Sequence, residues 1–119
     1  MMNAFTGTYE AQLRNYTLFL PEKFIKPLGN QPRINLEREV VDGEILPYLA
    51  LRPEIILGDI ERGIYLRKEC TDHLDIEEDA DLVAVGVNGR VEILTPTSWV
   101  KIIVVANRDF IKNSEAIFA

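Results

Sequence analysis

The sequence has few of the residues that build disulfides, metal centres and hydrolytic sites. Its 119 residues include one cysteine, Cys70, and one histidine, His73. A single cysteine excludes an intrachain disulfide and a multi-cysteine zinc site, and it fits a reducing compartment. Serine occurs only at positions 98 and 114, and no G-x-S-x-G, Walker or dinucleotide-binding motif is present. We therefore expect a protein that is not an enzyme and that holds no metal or cofactor.

Long apolar runs and an excess of basic charge are missing as well. No run approaches the roughly 18 apolar residues of a membrane span, and no basic segment followed by an apolar stretch opens the sequence. We expect a soluble cytoplasmic protein without a membrane partner. Lys and Arg number 13 against 19 Asp and Glu, which gives a net charge of -6. Nonspecific attraction to nucleic acid is therefore not expected, and any such binding must depend on a local cluster.

The acidic charge is concentrated in the second half of the chain. The segment from Glu69 to Asp81 contains seven acidic residues and no Lys or Arg. Its ordinary interpretation is a solvated loop next to a helix. Calcium binding of the EF-hand type is excluded, because a loop starting at Asp75 would place Ala80 and Gly86 where that motif needs Gly and Glu.

The clearest organisation lies between residues 63 and 94. An apolar strand around Tyr65 is followed by Leu66, Cys70 and Leu74 at helical spacing. An acidic loop over residues 75–81 comes next. It is followed by an apolar run over residues 82–87, the turn dipeptide Asn88-Gly89 and an alternating strand. The unit is therefore strand, helix, strand, tight turn, strand.

The same order of elements occurs earlier in the chain, which indicates an internal repeat. An offset of 46 residues places Leu18, Phe19, Leu20, Phe24 and Leu28 on Ile64, Tyr65, Leu66, Cys70 and Leu74, and Gly43 and Ile45 on Gly89 and Val91. Ile34 and Leu36 form the intervening strand of the first copy, whose hairpin is about three residues longer. Residues 37–42 are too charged to be core.

The remaining segments are a connection and a tail. Residues 48–54 leave room for little more than a turn of helix, and residues 55–57 begin the first strand of the second copy. Thr95-Pro96 resembles the start of a helix. Trp99, Ile103, Ala106 and Phe110 recur at spacings of four, three and four, so one helix face is predicted despite the β-branched run at 102–105.

The tandem pattern resembles the MraZ family of bacterial DNA-binding transcriptional regulators, which is related to AbrB and SpoVT. The segments that are similar are FTGTYEAQL and LFLPEKF in the first copy, and DLVAVGVNGRVEIL followed by TPTSW in the second. The resemblance covers residues 5–105. It implies a mainly β (α+β) swapped-hairpin β-barrel of two tandem pseudo-symmetric repeats with short helices and a C-terminal helix. The halves are residues 5–48 and 49–95, and residues 96–119 form the C-terminal helix and tail.

The resemblance further implies a dimer or ring that binds promoter DNA. The family has an Asp-x-x-x-Arg loop in each copy, and this loop holds the DNA-facing basic residue. Here the first loop, residues 13–17, has neither the Asp nor the Arg at the positions that the motif requires. The second loop keeps Asp59, but its arginine, Arg62, lies one position too early. The DNA-binding residues that we predict are Arg14 and Arg62 in the loops, and Lys23, Lys26, Arg67 and Lys68 on the helices. The alternative is an acidic oligomeric scaffold of the same fold that binds protein partners and no longer binds DNA.

Overall fold

The alternating and turn-rich segments form an antiparallel sheet in the computed structural model of the chain. The structure describes residues 5–29, 31–54 and 63–118, with side chains described as far as residue 108. Within these residues the strands are β1 (Gly7–Arg14), β2 (Thr17–Phe19), β3 (Arg33–Val41), β4 (Glu44–Arg52), β5 (Gly63–Tyr65), β6 (Ala80–Val87) and β7 (Arg90–Leu94). The helices are α1 (Glu22–Leu28), α2 (Lys68–Leu74) and α3 (Pro96–Phe118).

The seven strands form one sheet in the order β3-β4-β7-β6-β1-β2-β5, and every neighbouring pair is antiparallel. The sheet curls into a half-barrel, so its two terminal strands approach each other. Ile34 of β3 and Ile64 of β5 line the same cavity of about 560 Å³. The fold is therefore mainly β, as predicted.

One face of the sheet forms the main core. Cross-strand pairs place apolar side chains opposite one another along this face, for example Leu49 opposite Ile93, Ala11 opposite Leu82 and Leu18 opposite Ile64. Ile93, Leu18 and Leu49 are completely buried. Because strand side chains alternate between faces, the alternating pattern of each strand decides which residues join this core.

Two short helices cover the core face. In α1 the carbonyl of Pro21 accepts hydrogen bonds from the amides of Phe24 and Ile25, at 2.9 and 3.1 Å. The Phe24 ring is buried and meets the Tyr9 ring edge-on, with 5.3 Å between centroids. In α2 the corresponding buried residue is Cys70. The predicted helices and their inward residues are confirmed.

The third helix begins at Pro96, as the cap signature Thr95-Pro96 predicted. The Thr95 hydroxyl accepts a hydrogen bond from the Ser98 amide at 3.2 Å, which satisfies one of the free amides of the first turn. The helix lies against β6 and β3. Two ion pairs join it to the end of the β3–β4 hairpin: Lys101 with Glu44 at 2.6 Å, and Arg108 with Asp42 at 3.1 Å.

Several details of the sequence prediction are wrong. The segment after Tyr48 is not a helical turn, because β4 continues to Arg52 and pairs with β3 on one side and β7 on the other. Residues 37–42 stay outside the core, as predicted, because Glu37, Arg38 and Glu39 lie in the edge strand β3, where their side chains can reach solvent. In α3 the residues Ile103 and Ala106 are exposed while Ser98 is buried. The packed face is therefore rotated from the predicted one. The strand predicted at residues 55–57 lies outside the described residues.

Candidate nucleic-acid interface

The β1–β2 turn brings the first predicted basic residue to one end of the sheet. Asn15 and Tyr16 have φ values of 49° and 63°, so both turn residues are left-handed. The turn contacts the acidic loop, defined here as residues Asp75 to Asp81. The Asn15 amide donates to Asp79 Oδ1 at 2.8 Å, and the Tyr16 amide donates to the Glu78 carbonyl at 3.1 Å. The acidic loop is thus held against this turn and is not merely solvated.

The start of α2 lies beside the same turn. The Leu66 amide donates to the Tyr16 carbonyl at 2.8 Å, and Thr17 is paired with Tyr65. The Tyr16 and Tyr65 rings are 6.5 Å apart, and Tyr65 is 66% exposed. Arg67 and Lys68 follow directly in the chain. The β2–β5 pair therefore brings Arg14 of the first half to the same end of the sheet as two basic residues of the second half, together with the half-buried Tyr16 and the exposed Tyr65.

Most of these cations already have acidic partners. The Arg14 guanidinium contacts Asp81 Oδ1 at 3.1 Å and donates to the carbonyls of Leu13 and Ala80 at 2.7 and 3.2 Å. Arg67 is 3.6 Å from Glu69. Lys68 is exposed and has no ion pair within the described part of the chain. Exposed ion pairs contribute only about 0–1 kcal/mol, so phosphate groups can compete for these residues.

The two lysines of α1 lie elsewhere. Lys23 Nζ is 3.1 Å from the Tyr9 hydroxyl and 5.2 Å from the centre of the Tyr9 ring. Lys26 pairs with Glu22 one helical turn away, at 3.2 Å. Tyr9 and Arg14 are five residues apart on β1, or roughly 17 Å at the rise of a strand. The lysines therefore form a second group, and Arg62 lies outside the described residues.

Cys70 and His73 lie three residues apart on α2 but have different surroundings. Cys70 lies in the core, and burial raises the pKa of its thiol, with nearby Glu69 adding to the effect and Arg67 opposing it. His73 is half-buried rather than on the surface, and its Nε2 lies 2.7 Å from the carbonyl of Glu37. Because a carbonyl can only accept, Nε2 is the donor in this hydrogen bond. His73 thus attaches α2 to the edge strand β3.

Sequence reasoning missed two features of this region. The exposed Tyr65 was treated only as part of an apolar strand, although its alternation with the buried Ile64 places it on the outer face. The contact between the acidic loop and the β1–β2 turn was also missed. It depends on the pairing of β1 with β6, which joins Leu13 to Ala80. No local pattern in the sequence signals a pairing between residues so far apart.

Comparison with known proteins gives no relative for this chain. No family model, curated protein or solved structure matches it. Among the described residues, no helix is both long enough and apolar enough to cross a membrane.

Proposed function

We propose that this protein is a DNA-binding transcriptional regulator that resembles MraZ, acts in the cytoplasm and binds promoter DNA as a homo-oligomer. The observation that supports the proposal is the group of Arg14, Arg67 and Lys68 at one end of the sheet. These residues come from both halves of the sequence: Arg14 ends β1, which pairs with β2, and Arg67 and Lys68 closely follow β5, which pairs with β2 on its other side. Phosphate recognition needs such a local group in a chain whose net charge is negative.

The strand pairings also support the swapped-hairpin repeat that the resemblance implies. Leu18 pairs with Ile64, and these residues are related by the same offset of 46 that relates the two halves of the sequence. β1 of the first half pairs with β6 of the second half, and β2 pairs with β5. Strands are therefore shared between the halves, as in a swapped pair.

In this proposal each copy supplies a small cationic patch, and the oligomer repeats it along the DNA. Arg14, Arg67 and Lys68 neutralise phosphates, while Tyr16 and Tyr65 provide planar surfaces between them. A patch of two or three cations binds weakly by itself. Closed homo-oligomers present several identical patches, and simultaneous contacts raise the overall affinity.

The first prediction concerns DNA binding. Changing Arg14 and Arg67 together to Ala should weaken binding to the duplex upstream of the protein's own gene by at least roughly tenfold. It should also lower the magnitude of the slope of log affinity against log salt by up to about two per copy. Fluorescence anisotropy at several salt concentrations measures both quantities.

The matched control for this experiment changes Lys101 and Arg108 to Ala. These residues are also ion-paired cations, but they lie at the β3–β4 hairpin. The control should retain most of the affinity. Equal losses in the two double variants would mean that net charge, rather than this patch, determines binding. Absence of binding by the folded parent protein at low salt would refute the regulator proposal.

A second candidate function is an oligomeric scaffold of the same fold that binds proteins and not DNA. The observation that favours it is a pair of exposed apolar surfaces. One surface, which we name the hairpin patch, consists of Leu36, Val40 and Ile45. The other, the helix patch, consists of Val100, Ile103 and Val104 on α3. Exposed contiguous apolar side chains are typical of interaction surfaces.

The second prediction concerns self-association. Light scattering at micromolar concentration should give a mass at least twice the 13.6 kDa of one chain. Changing Val104 to Asp should lower the association constant by tenfold or more if the helix patch is the interface, because a charge would then be buried. Changing Ala106, an exposed residue of the same helix that does not lie on the helix patch, to Asp is the control. A mass near that of one chain for the parent protein would contradict both proposed functions.

A further inference from the structure

We infer that the acidic loop is an autoinhibitory contact that competes with DNA for Arg14. This inference rests on the proposed function, since it concerns the same cationic patch. The acidic loop contacts the β1–β2 turn at three successive residues of that turn. Asp81 pairs with Arg14, Asp79 accepts from the Asn15 amide, and the Glu78 carbonyl accepts from the Tyr16 amide.

The contact occupies the groups that a phosphate would use. Arg14 points one Nη towards Asp81 Oδ1 at 3.1 Å, and the Asn15 amide is 2.8 Å from Asp79 Oδ1. A guanidinium and a backbone amide are also the usual donors to a DNA phosphate. A carboxylate and a phosphate oxygen cannot accept the same hydrogen bond. DNA must therefore displace Asp79 to use the Asn15 amide, and Asp81 to use the N–H group of Arg14 that is now paired with it.

The contact between Arg14 and Asp81 is exposed to solvent, so it can break without a change in the fold. The side chains of Arg14 and Asp81 are 46% and 76% exposed. Their ion pair is consequently screened by solvent and weak enough to exchange. The acidic loop follows α2, whose C-cap Asp75 has the left-handed conformation, and it enters β6 at Ala80. Both ends of the loop are thus fixed, while the carboxylates of Asp79 and Asp81 can move away from the turn by side-chain rotation.

The same contact changes the dependence of DNA binding on salt. When Arg14 leaves Asp81 for a phosphate, the phosphate releases a counterion and the freed carboxylate attracts one. The two effects oppose each other, so binding by the parent protein should depend less steeply on salt than binding by a protein without the carboxylates. If Asp79 and Asp81 only stabilised the fold, their removal would not make DNA binding depend more steeply on salt.

The third prediction tests the autoinhibitory contact. Changing Asp79 and Asp81 together to Asn should raise the affinity for duplex DNA about five- to tenfold, because an exposed ion pair and a charge-assisted hydrogen bond no longer compete. The salt slope should become steeper by up to about one per copy. In the Arg14→Ala background the same double change should give a much smaller gain.

The matched control changes Asp72 and Asp75 to Asn, which removes the same charge from positions outside the contact with the turn. Asn at position 75 also tolerates the left-handed conformation found there. A clear gain in DNA affinity for D79N/D81N that the control variant does not show supports the autoinhibitory contact. Equal gains in the two double variants, or no gain while the parent protein binds DNA, would overturn it and leave the proposed function intact. Absence of DNA binding in every variant would remove the proposed function and this inference together. Thermal unfolding checks that each variant is folded. If D79N/D81N does not fold, the single change Asp81→Asn replaces it.

Discussion

Hairpins β3–β4 and β6–β7 have the same kind of turn but very different surroundings. Hairpin β3–β4 turns at Asp42-Gly43 and hairpin β6–β7 at Asn88-Gly89, and all four turn residues have positive φ. Hairpin β6–β7 lies inside the sheet, with β4 and β1 on its two sides. Hairpin β3–β4 forms one end of the sheet, and its tip has an apolar core-side face that remains exposed. The turn chemistry is therefore local, whereas burial depends on position in the sheet.

A pair of isoleucines tests this difference most strongly. Ile93 of β7 is completely buried and lies between Leu49 and Ala84 in the sheet. Ile45 of β4 is 62% exposed and is paired with Val40 across its hairpin. Ile93→Ala should lower the free energy of unfolding by about 2–5 kcal/mol, since it removes packed methyl groups and leaves a cavity. Ile45→Ala should change it by less than about 0.5 kcal/mol.

Chemical denaturation at low protein concentration measures both values without a contribution from association. If Ile45→Ala is as destabilising as Ile93→Ala, then the hairpin patch is covered in solution and the comparison between the hairpins does not hold. Repeating the measurement at high concentration would then identify a second copy as the cover, because stability that depends on association rises with concentration.

A smaller effect is expected at the turns, where the hairpins should behave alike. Gly43 and Gly89 have φ values of 79° and 76°, and an added Cβ would meet no atom within 4 Å at either position. Gly43→Ala and Gly89→Ala should each cost about 1 kcal/mol, because the strain of a left-handed alanine exceeds the entropy gained. Thermal unfolding of the two variants checks this. A difference above about 1 kcal/mol would show that the position of the turn in the sheet also matters.

Local patterns allowed much of the fold to be predicted. Alternation and turn dipeptides placed the strands on either side of Gly43 and Gly89, and the Thr95-Pro96 cap located the start of α3. The β4 segment after Tyr48 was missed because its residues are buried on both faces around Ala50. A continuous apolar run lacks the alternation that marks a half-exposed strand.

The candidate site was less predictable because it depends on pairing between the halves. Sequence reasoning selected six basic residues by their positions in the repeat. The structure brings Arg14 close to the start of α2 and leaves Lys23 at the other end of β1. Which of these residues meet depends on the β2–β5 pair. The acidic contacts of Arg14 likewise depend on the β1–β6 pair, which no spacing in the sequence reveals.

The pairing of β1 with β6 also has a consequence for synthesis of the chain. Leu13 lies opposite Ala80, so β1 cannot begin to pair with β6 until 67 residues after Leu13 have been made. At ordinary rates of translation this takes roughly 3–13 s. During that interval β1 can pair with β2, while its other edge has no native strand available. The nascent chain thus presents an open strand edge to other chains on the same messenger, and two unfinished copies could exchange β1 before either is complete.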